Sequence, residues 1–174
     1  MKIELKPLNE INPIELAYHA NDKRISVYLR ESFPYPYTIN YAKAFISYCI
    51  QNKCVEFGIC IDDICIGCIG ATFFDDVYSH NVEIGYWISP KYWGKGIMSH
   101  VIPTFCQYLF QYYDIHKIYA IVISDNISSI KLLEKTHFIK EGYFKEYIYK
   151  DNKYYDAVFY SILEDNDGNK KSNL

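Results

Sequence analysis

Two closely spaced glycines near the middle of the chain have the setting of a phosphate-binding turn. The segment from 82 to 88 is rich in β-branched and aromatic residues, which predicts a strand, and Ser89-Pro90 ends it. Gly94-Lys95-Gly96 then precedes an apolar segment with helical periodicity. The first turn of a helix has unpartnered N–H groups and the positive end of the helix dipole, and glycines let a phosphate approach them. The spacing therefore predicts a pyrophosphate site, and an ordinary strand-to-helix turn is the alternative.

The two commonest phosphate loops do not match this turn. A P-loop requires G-x-x-x-x-G-K-(S/T), but here Lys95 lies between the glycines and neither Ser nor Thr follows directly. A dinucleotide-binding loop requires G-x-G-x-x-G, and Ser99 occupies the third glycine position. Both are disfavoured. Lys91 and Lys95 nevertheless add positive charge beside the turn, as a diphosphate would favour.

Residues 91–96, K-Y-W-G-K-G, resemble the acyl-CoA signature (Q/R)-x-x-G-x-(G/A) of the GNAT superfamily of N-acetyltransferases. Lys91 replaces the usual Gln or Arg, at a position that works largely through its backbone. Residues 124–142 resemble a second GNAT hallmark: Asn126, a small residue one turn later, and a helix that ends in E-K-x-G-F, with His137 where Gly is usual. The resemblance covers residues 1–163 and is closest to the branch that acetylates the N-terminal alanine or serine of ribosomal proteins. It extends to the spermidine acetyltransferases.

The resemblance implies acetyl-CoA as cosubstrate and a particular fold. That fold is α/β (α+β): a mixed, mostly antiparallel sheet of about seven strands with helices on both faces and one splayed strand pair that holds acetyl-CoA. Backbone groups of Trp87 and Ile88 would bind the pantetheine arm, and Asn126 and Ser129 would face it near the sulfur. The cofactor-binding residues implied are Trp87, Ile88, Lys91, Tyr92, Trp93, Gly94, Lys95, Gly96, Ile97, Asn126 and Ser129.

Two glutamates and one serine are candidates for the chemistry. Transfer to an amine requires a base for the amine proton, and a donor for the departing thiolate. Glu83, on the strand before the glycine turn, is the first candidate base; Glu146 is the rival, although an ungapped alignment places the relatives' glutamate at Ile148. Many relatives use a tyrosine as the acid, but Leu133 stands at that position, which leaves Ser129 as the implied donor.

Several of these residues also have purely structural interpretations. Glu83 fits a solvated or salt-bridged strand residue equally well. Asn126 is placed to cap a helix, which is compatible with a role at the arm. Ser129 could equally be a helix-surface residue. The Pro-rich aromatic segment from 33 to 37 is either a fixed connection or a wall of the acceptor site.

Composition and charge narrow the class of protein. The chain has 174 residues and a formal net charge of −3. This charge does not indicate the basic surface that binding to nucleic acid or an anionic membrane requires. No signal peptide and no membrane-spanning run is recognisable, so we expect a cytoplasmic protein. We expect one domain over residues 1–163, a disordered tail over 164–174, and a homodimer as one option by analogy with the relatives.

The six cysteines and five histidines show no metal-ligand spacing, so we expect no metal. Cys65 and Cys68 form C-x-x-C, but an offset of three in a strand predicts thiols on opposite faces. Buried, reduced thiols are therefore the favoured interpretation.

The predicted function is transfer of an acetyl group from acetyl-CoA to a primary amine by direct attack, with the N-terminal amine of a ribosomal protein preferred. The alternatives are a polyamine or other small-molecule acetyltransferase, and a CoA-binding module without catalysis.

Overall fold

The structure is a computed structural model and describes residues 2–164. The predicted tail, apart from its first residue, lies outside the described residues. Within this range, seven strands and five α-helices follow one another in the order β1 Ile3–Pro7, α1 Pro13–Ala20, α2 Lys23–Ser26, α3 Ile39–Gln51, β2 Val55–Ile61, β3 Ile64–Phe73, β4 Asn81–Ile88, α4 Ile97–Tyr112, β5 Lys117–Ile123, α5 Ile127–Lys135, β6 Ile139–Lys150 and β7 Lys153–Leu163.

The strands form one sheet in the order β1-β2-β3-β4-β5-β7-β6. All neighbours pair antiparallel except β4 and β5, which are parallel. A parallel pair needs a crossover connection, and α4 supplies it. This topology confirms the predicted mixed, mostly antiparallel sheet of seven strands.

Helices cover both faces of the sheet because alternate strand residues are apolar on each face. One core lies under α4 and α5 and includes Phe105, Leu109 and Leu133. The other lies under α1 and α3 and includes Leu16 and Cys49. We call these the α4 face and the α3 face of the sheet.

The chain forms its helix starts and tight turns where the residue types allow them. The Asn12 side chain accepts a hydrogen bond from the Ile14 N–H at 2.9 Å, and Pro13 begins α1. The turn between β2 and β3 uses Asp62 and Asp63 at φ 47° and 72°. Positive φ at both positions is what a two-residue hairpin turn requires, so the acidic pair marks the hairpin as predicted.

The prediction for Cys65 and Cys68 is wrong. Both thiols lie on the α3 face of the sheet, within the same buried cluster. The register between β2 and β3 shifts at Ile59/Cys60, so that Cys65 pairs with Cys60 while Gly67 pairs with Ile59. The irregularity inserts one unpaired residue into β3. Cys65 and Cys68 therefore point to the same face of the sheet although they are three residues apart.

Candidate active site

The site begins where β4 and β5 stop pairing. Their parallel pairing covers only Asn81–Glu83 against Lys117–Tyr119, although β4 continues to Ile88 and β5 to Ile123. Beyond the paired residues the strands diverge, so backbone N–H and C=O groups of β4 face the gap and not a neighbouring strand. A polar, extended molecule can pair with such an edge as another strand would.

The glycine turn closes one end of this gap. Gly94 and Gly96 have φ values of 72° and 75°, in the left-handed region that favours glycine. Gly96 is the residue that caps α4, and a Cβ atom added to either glycine would meet nothing within 4 Å. Bare backbone therefore faces open space at the positive end of a 16-residue helix. This arrangement fits a pyrophosphate, as the sequence predicts.

The gap and the turn together form a cleft of about 620 Å³. A volume of this size suits a cofactor-sized ligand. The following residues of the predicted cofactor set line it: Trp87, Ile88, Tyr92, Trp93, Gly94, Gly96, Ile97, Asn126 and Ser129.

Lys91 and Lys95, also predicted to bind the cofactor, lie beside the cleft wall and are held by aromatic rings. The Lys91 ammonium donates to the Tyr18 hydroxyl at 2.5 Å, and the Lys95 ammonium lies 5.1 Å from the centre of the Tyr92 ring. Each contact keeps a positive charge close to the turn.

Asn126 and Ser129 at the start of α5 and Tyr86 of β4 bring three polar side chains to the cleft. The Asn126 side chain accepts the Ser129 N–H at 3.2 Å and so caps the helix, which confirms the structural interpretation of this residue. The Ser129 hydroxyl shares a 2.8 Å hydrogen bond with the hydroxyl of Tyr86. Burial raises the pKa of the Tyr86 phenol despite this bond, so the phenol keeps its proton. Leu133 is fully buried and presents no polar group there.

Glu83 lies on the α3 face of β4, next to the point of divergence. The Arg30 guanidinium contacts both carboxylate oxygens of Glu83 at 3.1 Å. The Glu83 side chain is 19% exposed and the Arg30 side chain 71% exposed. The salt-bridged interpretation of Glu83 is therefore confirmed, and its role as a base stays a prediction.

The Pro-rich aromatic segment packs against the same strand face. The Phe33 ring meets Trp87 edge-on at 5.5 Å and lies 4.8 Å from the Tyr37 ring. On the other side of Glu83, Tyr119 stacks on Phe159 at 4.7 Å. Aromatic rings thus border the α3 face of β4 on both sides, as an acceptor-site wall would.

Glu146 lies away from the cleft lining. It is an exposed residue with φ 52°, within a register shift of the edge strand β6. Its N–H donates to Asp156 Oδ1 at 2.7 Å, which holds the irregular segment against β7. The structure does not bring its carboxylate together with Ser129, and its role stays a prediction.

Two residues of the site were not predicted as site residues from the sequence. Tyr86 is one of many tyrosines. It differs from the others only because the fold brings its hydroxyl group to Ser129 at the start of α5. Arg30 follows the short helix α2, and 53 residues separate it from Glu83. The alternation of β4 could have placed Tyr86 on the face opposite Trp87, but not against Ser129.

No group of three or more His, Cys, Asp and Glu side chains that could hold a metal ion occurs within residues 2–164. In the same range, no helix combines the length and the apolar character that crossing a membrane would demand.

Comparison with known proteins identifies the family. Residues 2–139 match the family model described as an acetyltransferase (GNAT) domain. The chain belongs to the GNAT acetyltransferase family. It is 30% identical over 149 residues to the uncharacterized N-acetyltransferase YnaD of Bacillus subtilis, which covers 84% of this chain and 85% of YnaD.

Two further likenesses concern acetyltransferases of ribosomal proteins. The chain is 33% identical over 97 residues to the ribosomal protein uS5 alanine N-acetyltransferase of Escherichia coli, covering 54% of this chain and 50% of that enzyme. Its fold is similar to that of RimL, a ribosomal L7/L12 alpha-N-protein acetyltransferase solved with coenzyme A. The TM-score is 0.82 at 20% identity, with 94% of each chain covered. The GNAT chain described here is thus an N-acetyltransferase with the expected fold.

Proposed function

We propose that this GNAT enzyme binds acetyl-CoA in the cleft between β4 and β5 and transfers the acetyl group to the N-terminal amine of a protein. The single observation that carries the cofactor assignment is the continuity of the diverging strands with the bare glycine turn. The pantetheine amides would pair with the free backbone edge of β4, and the pyrophosphate would lie on the first turn of α4. The Ile88 carbonyl already accepts the Trp93 indole N–H at 2.9 Å, so the arm would share or displace that bond.

The chemistry at the sulfur falls to the hydroxyl groups of Ser129 at the start of α5 and Tyr86 on β4, which we call the hydroxyl pair. Collapse of the tetrahedral intermediate leaves a thiolate, which needs a proton or a hydrogen bond. Ser129 faces the cleft, and its bond to Tyr86 gives the hydroxyl pair a donor that stays protonated at physiological pH. In this proposal Ser129 donates to the thiolate and Tyr86 orients the Ser129 hydroxyl.

The acceptor side favours a weakly basic amine with a single charge. An amine of pKa about 10.4 costs roughly 4–5 kcal/mol to deprotonate at pH 7, whereas an N-terminal amine near 8 costs roughly 1–1.5 kcal/mol. A polyamine carries several positive charges, and the carboxylate of Glu83 is already neutralised by Arg30. Together with the likeness to ribosomal-protein acetyltransferases, this favours a protein N-terminus over a polyamine.

The test is continuous measurement of thiol release from acetyl-CoA with a panel of acceptors. The panel contains peptides with N-terminal Ser, Ala and Met, together with spermidine, free lysine and an aminoglycoside. We expect turnover with at least one of the peptides and a higher kcat/KM for it than for spermidine. Turnover of spermidine or the aminoglycoside alone would instead assign the enzyme to small-molecule amines. No turnover with any amine would contradict the proposed reaction.

A further inference from the structure

One carboxyl group reaches across the α3 face of the sheet without a role in the site described so far. Glu56 of β2 is paired with Gly70 of β3, and Gly70 is paired with Gly85 of β4. Paired residues of antiparallel strands point to the same face, so the three lie in one row across the sheet. The Glu56 side chain lies over Gly70: a Cβ atom on Gly70 would lie 1.6 Å from Glu56 Oε2.

The row ends in open space above β4. Gly85 is exposed although it is in the middle of a central strand, and a Cβ atom there would meet nothing within 4 Å. Its neighbours on the same strand face are Glu83 and Trp87. Gly85 therefore forms the floor of an open groove on the acceptor side, and the Glu56 carboxyl group, which covers Gly70, lies at its edge.

Glu56 combines burial with a carboxyl group that has no partner within the described part of the chain. Among residues 2–164, its carboxyl group makes no hydrogen bond or ion pair. Burial raises the pKa of this group to about 8. The titratable groups near it are Tyr37 before α3, Cys49 on α3 and Cys68 on β3. Burial is the main cause that raises the pKa of each, and the negative charge of Glu56 adds to it. All three are neutral acids, so no cation opposes the protonation of Glu56 from that side.

A second cavity, of about 320 Å³, has Glu56 among its lining residues. It lies between α3, the start of β2 and the end of α4, and its lining includes Cys49, Lys53, Cys54 and Tyr113. Glu56 therefore borders this cavity as well as the groove.

We propose that Glu56 is the general base that accepts the proton of the acceptor amine, directly or through one water molecule. This assignment rests on the proposed function. Glu83 is less suited to that step because Arg30 occupies both of its oxygens, and Glu146 because it is exposed at the edge of the sheet. The carboxylate of Glu56 has no bonded partner among the described residues and is free to take up a proton. It lies in the same cross-strand row as Gly85 of β4, the strand proposed to bind the acetyl-CoA arm.

The step balances as follows. The acceptor ammonium gives one proton to the Glu56 carboxylate, and the neutral amine attacks the carbonyl carbon of the thioester. A C–N bond forms, the tetrahedral intermediate collapses, and the C–S bond breaks. The second proton, released by the nitrogen, neutralises the departing thiolate through the hydroxyl pair. Glu56 then returns its proton to water, so the net products are the amide, CoA and one proton.

The test compares Glu56→Gln with wild type in the thiol-release assay from pH 6 to pH 9. Glu4→Gln is the matched control, since Glu4 is a strand glutamate on the same face that pairs with Lys2 instead. We expect kcat/KM of Glu56→Gln to fall at least 100-fold at pH 8, consistent with loss of a general base. The rise in wild-type kcat with an apparent pKa near 8, measured at saturating peptide so that titration of the free amine does not contribute, should also disappear, while CoA affinity remains within twofold.

A second variant separates a catalytic role from a structural one. Gly70→Ala keeps the carboxyl group but fills the space that its oxygen occupies, and the flexible end of Glu56 can move aside. We expect a folded protein that binds CoA and has lost at least tenfold in kcat. Wild-type activity and an unchanged pH profile in Glu56→Gln would overturn the assignment while leaving the proposed function intact. A wild-type enzyme that acetylates no amine would overturn both.

Discussion

Replacing Glu56 by Gln should change how the stability of the protein depends on pH. In the folded chain, burial raises the pKa of this carboxyl group from 4.5 to about 8. Between these values the folded state holds a proton that the unfolded chain has already released. Stability contributed by the neutral form is therefore complete below pH 4.5 and is lost as the pH rises towards 8. Gln has no proton to lose, so the variant should not show this loss.

The size of the effect follows from the shift. Each pKa unit corresponds to about 1.4 kcal/mol, so the full shift gives an upper limit of about 5 kcal/mol at pH 8 and above. The Glu56 side chain is partly exposed, and solvent screening reduces the figure to about 2 kcal/mol. For a chain of this length, about 2 kcal/mol corresponds to a difference in Tm of roughly 4–8 °C.

Urea unfolding at pH 5, 6, 7 and 8 measures this directly, with a reductant present to keep the thiols reduced. The quantity of interest is the free energy of unfolding of Glu56→Gln minus that of wild type. This difference should increase by about 2 kcal/mol from pH 5 to pH 8. In Glu4→Gln, which removes a half-buried carboxylate paired with Lys2, the corresponding difference should not show this increase.

A pH-independent difference would refute the reasoning. A constant offset means that the Gln amide fits the site better or worse than the carboxyl group, which is a packing effect. If the difference does not grow with pH, Glu56 is not buried in the way described, and the argument for it as a base of raised pKa fails with it.

Four further changes test other parts of the site. Gly96→Ala places a side chain at φ 75°, which should cost about 1–2 kcal/mol and weaken CoA binding roughly tenfold in calorimetry. Tyr86→Phe removes the bond to the Ser129 hydroxyl and should lower kcat about tenfold with little change in KM for the amine. If the two hydroxyls act together, adding Ser129→Ala to Tyr86→Phe should lower kcat by less than the product of the two single effects. Arg30→Ala frees the carboxylate that it pairs with and should lower KM for a cationic peptide several-fold, an effect that added salt should reduce. His137→Gly relieves a φ of 69° at the end of α5 and should raise the free energy of unfolding by about 1 kcal/mol in urea.

The fold followed from local patterns because each pattern has a local physical cause. The acidic pair Asp62-Asp63 marks a hairpin since these residue types tolerate positive φ. Asn12-Pro13 marks a helix start since the side chain caps the first turn and proline fits there. The order of such elements, together with two family motifs, was enough to predict the seven-stranded sheet.

The C-x-x-C prediction failed for an equally physical reason. Alternation assigns faces only while the strand is regular, and the irregular pairing between β2 and β3 changes the parity. The sequence of this segment gives no sign of the irregularity, because the irregularity arises from the pairing with another strand.

The sequence by itself determined the glycine turn, the helix that follows it and the cleft-lining residues next to the turn, because these are neighbours along the chain. Only the tertiary structure decided which side chains meet across the sheet. Three such contacts depend on strand register and on how the helices and loops pack on the sheet. They are the bond between Tyr86 and Ser129, the ion pair of Arg30 with Glu83, and the row from Glu56 to Gly85. Register is set by the sum of many weak contacts over the whole sheet, and no single stretch of sequence contains it.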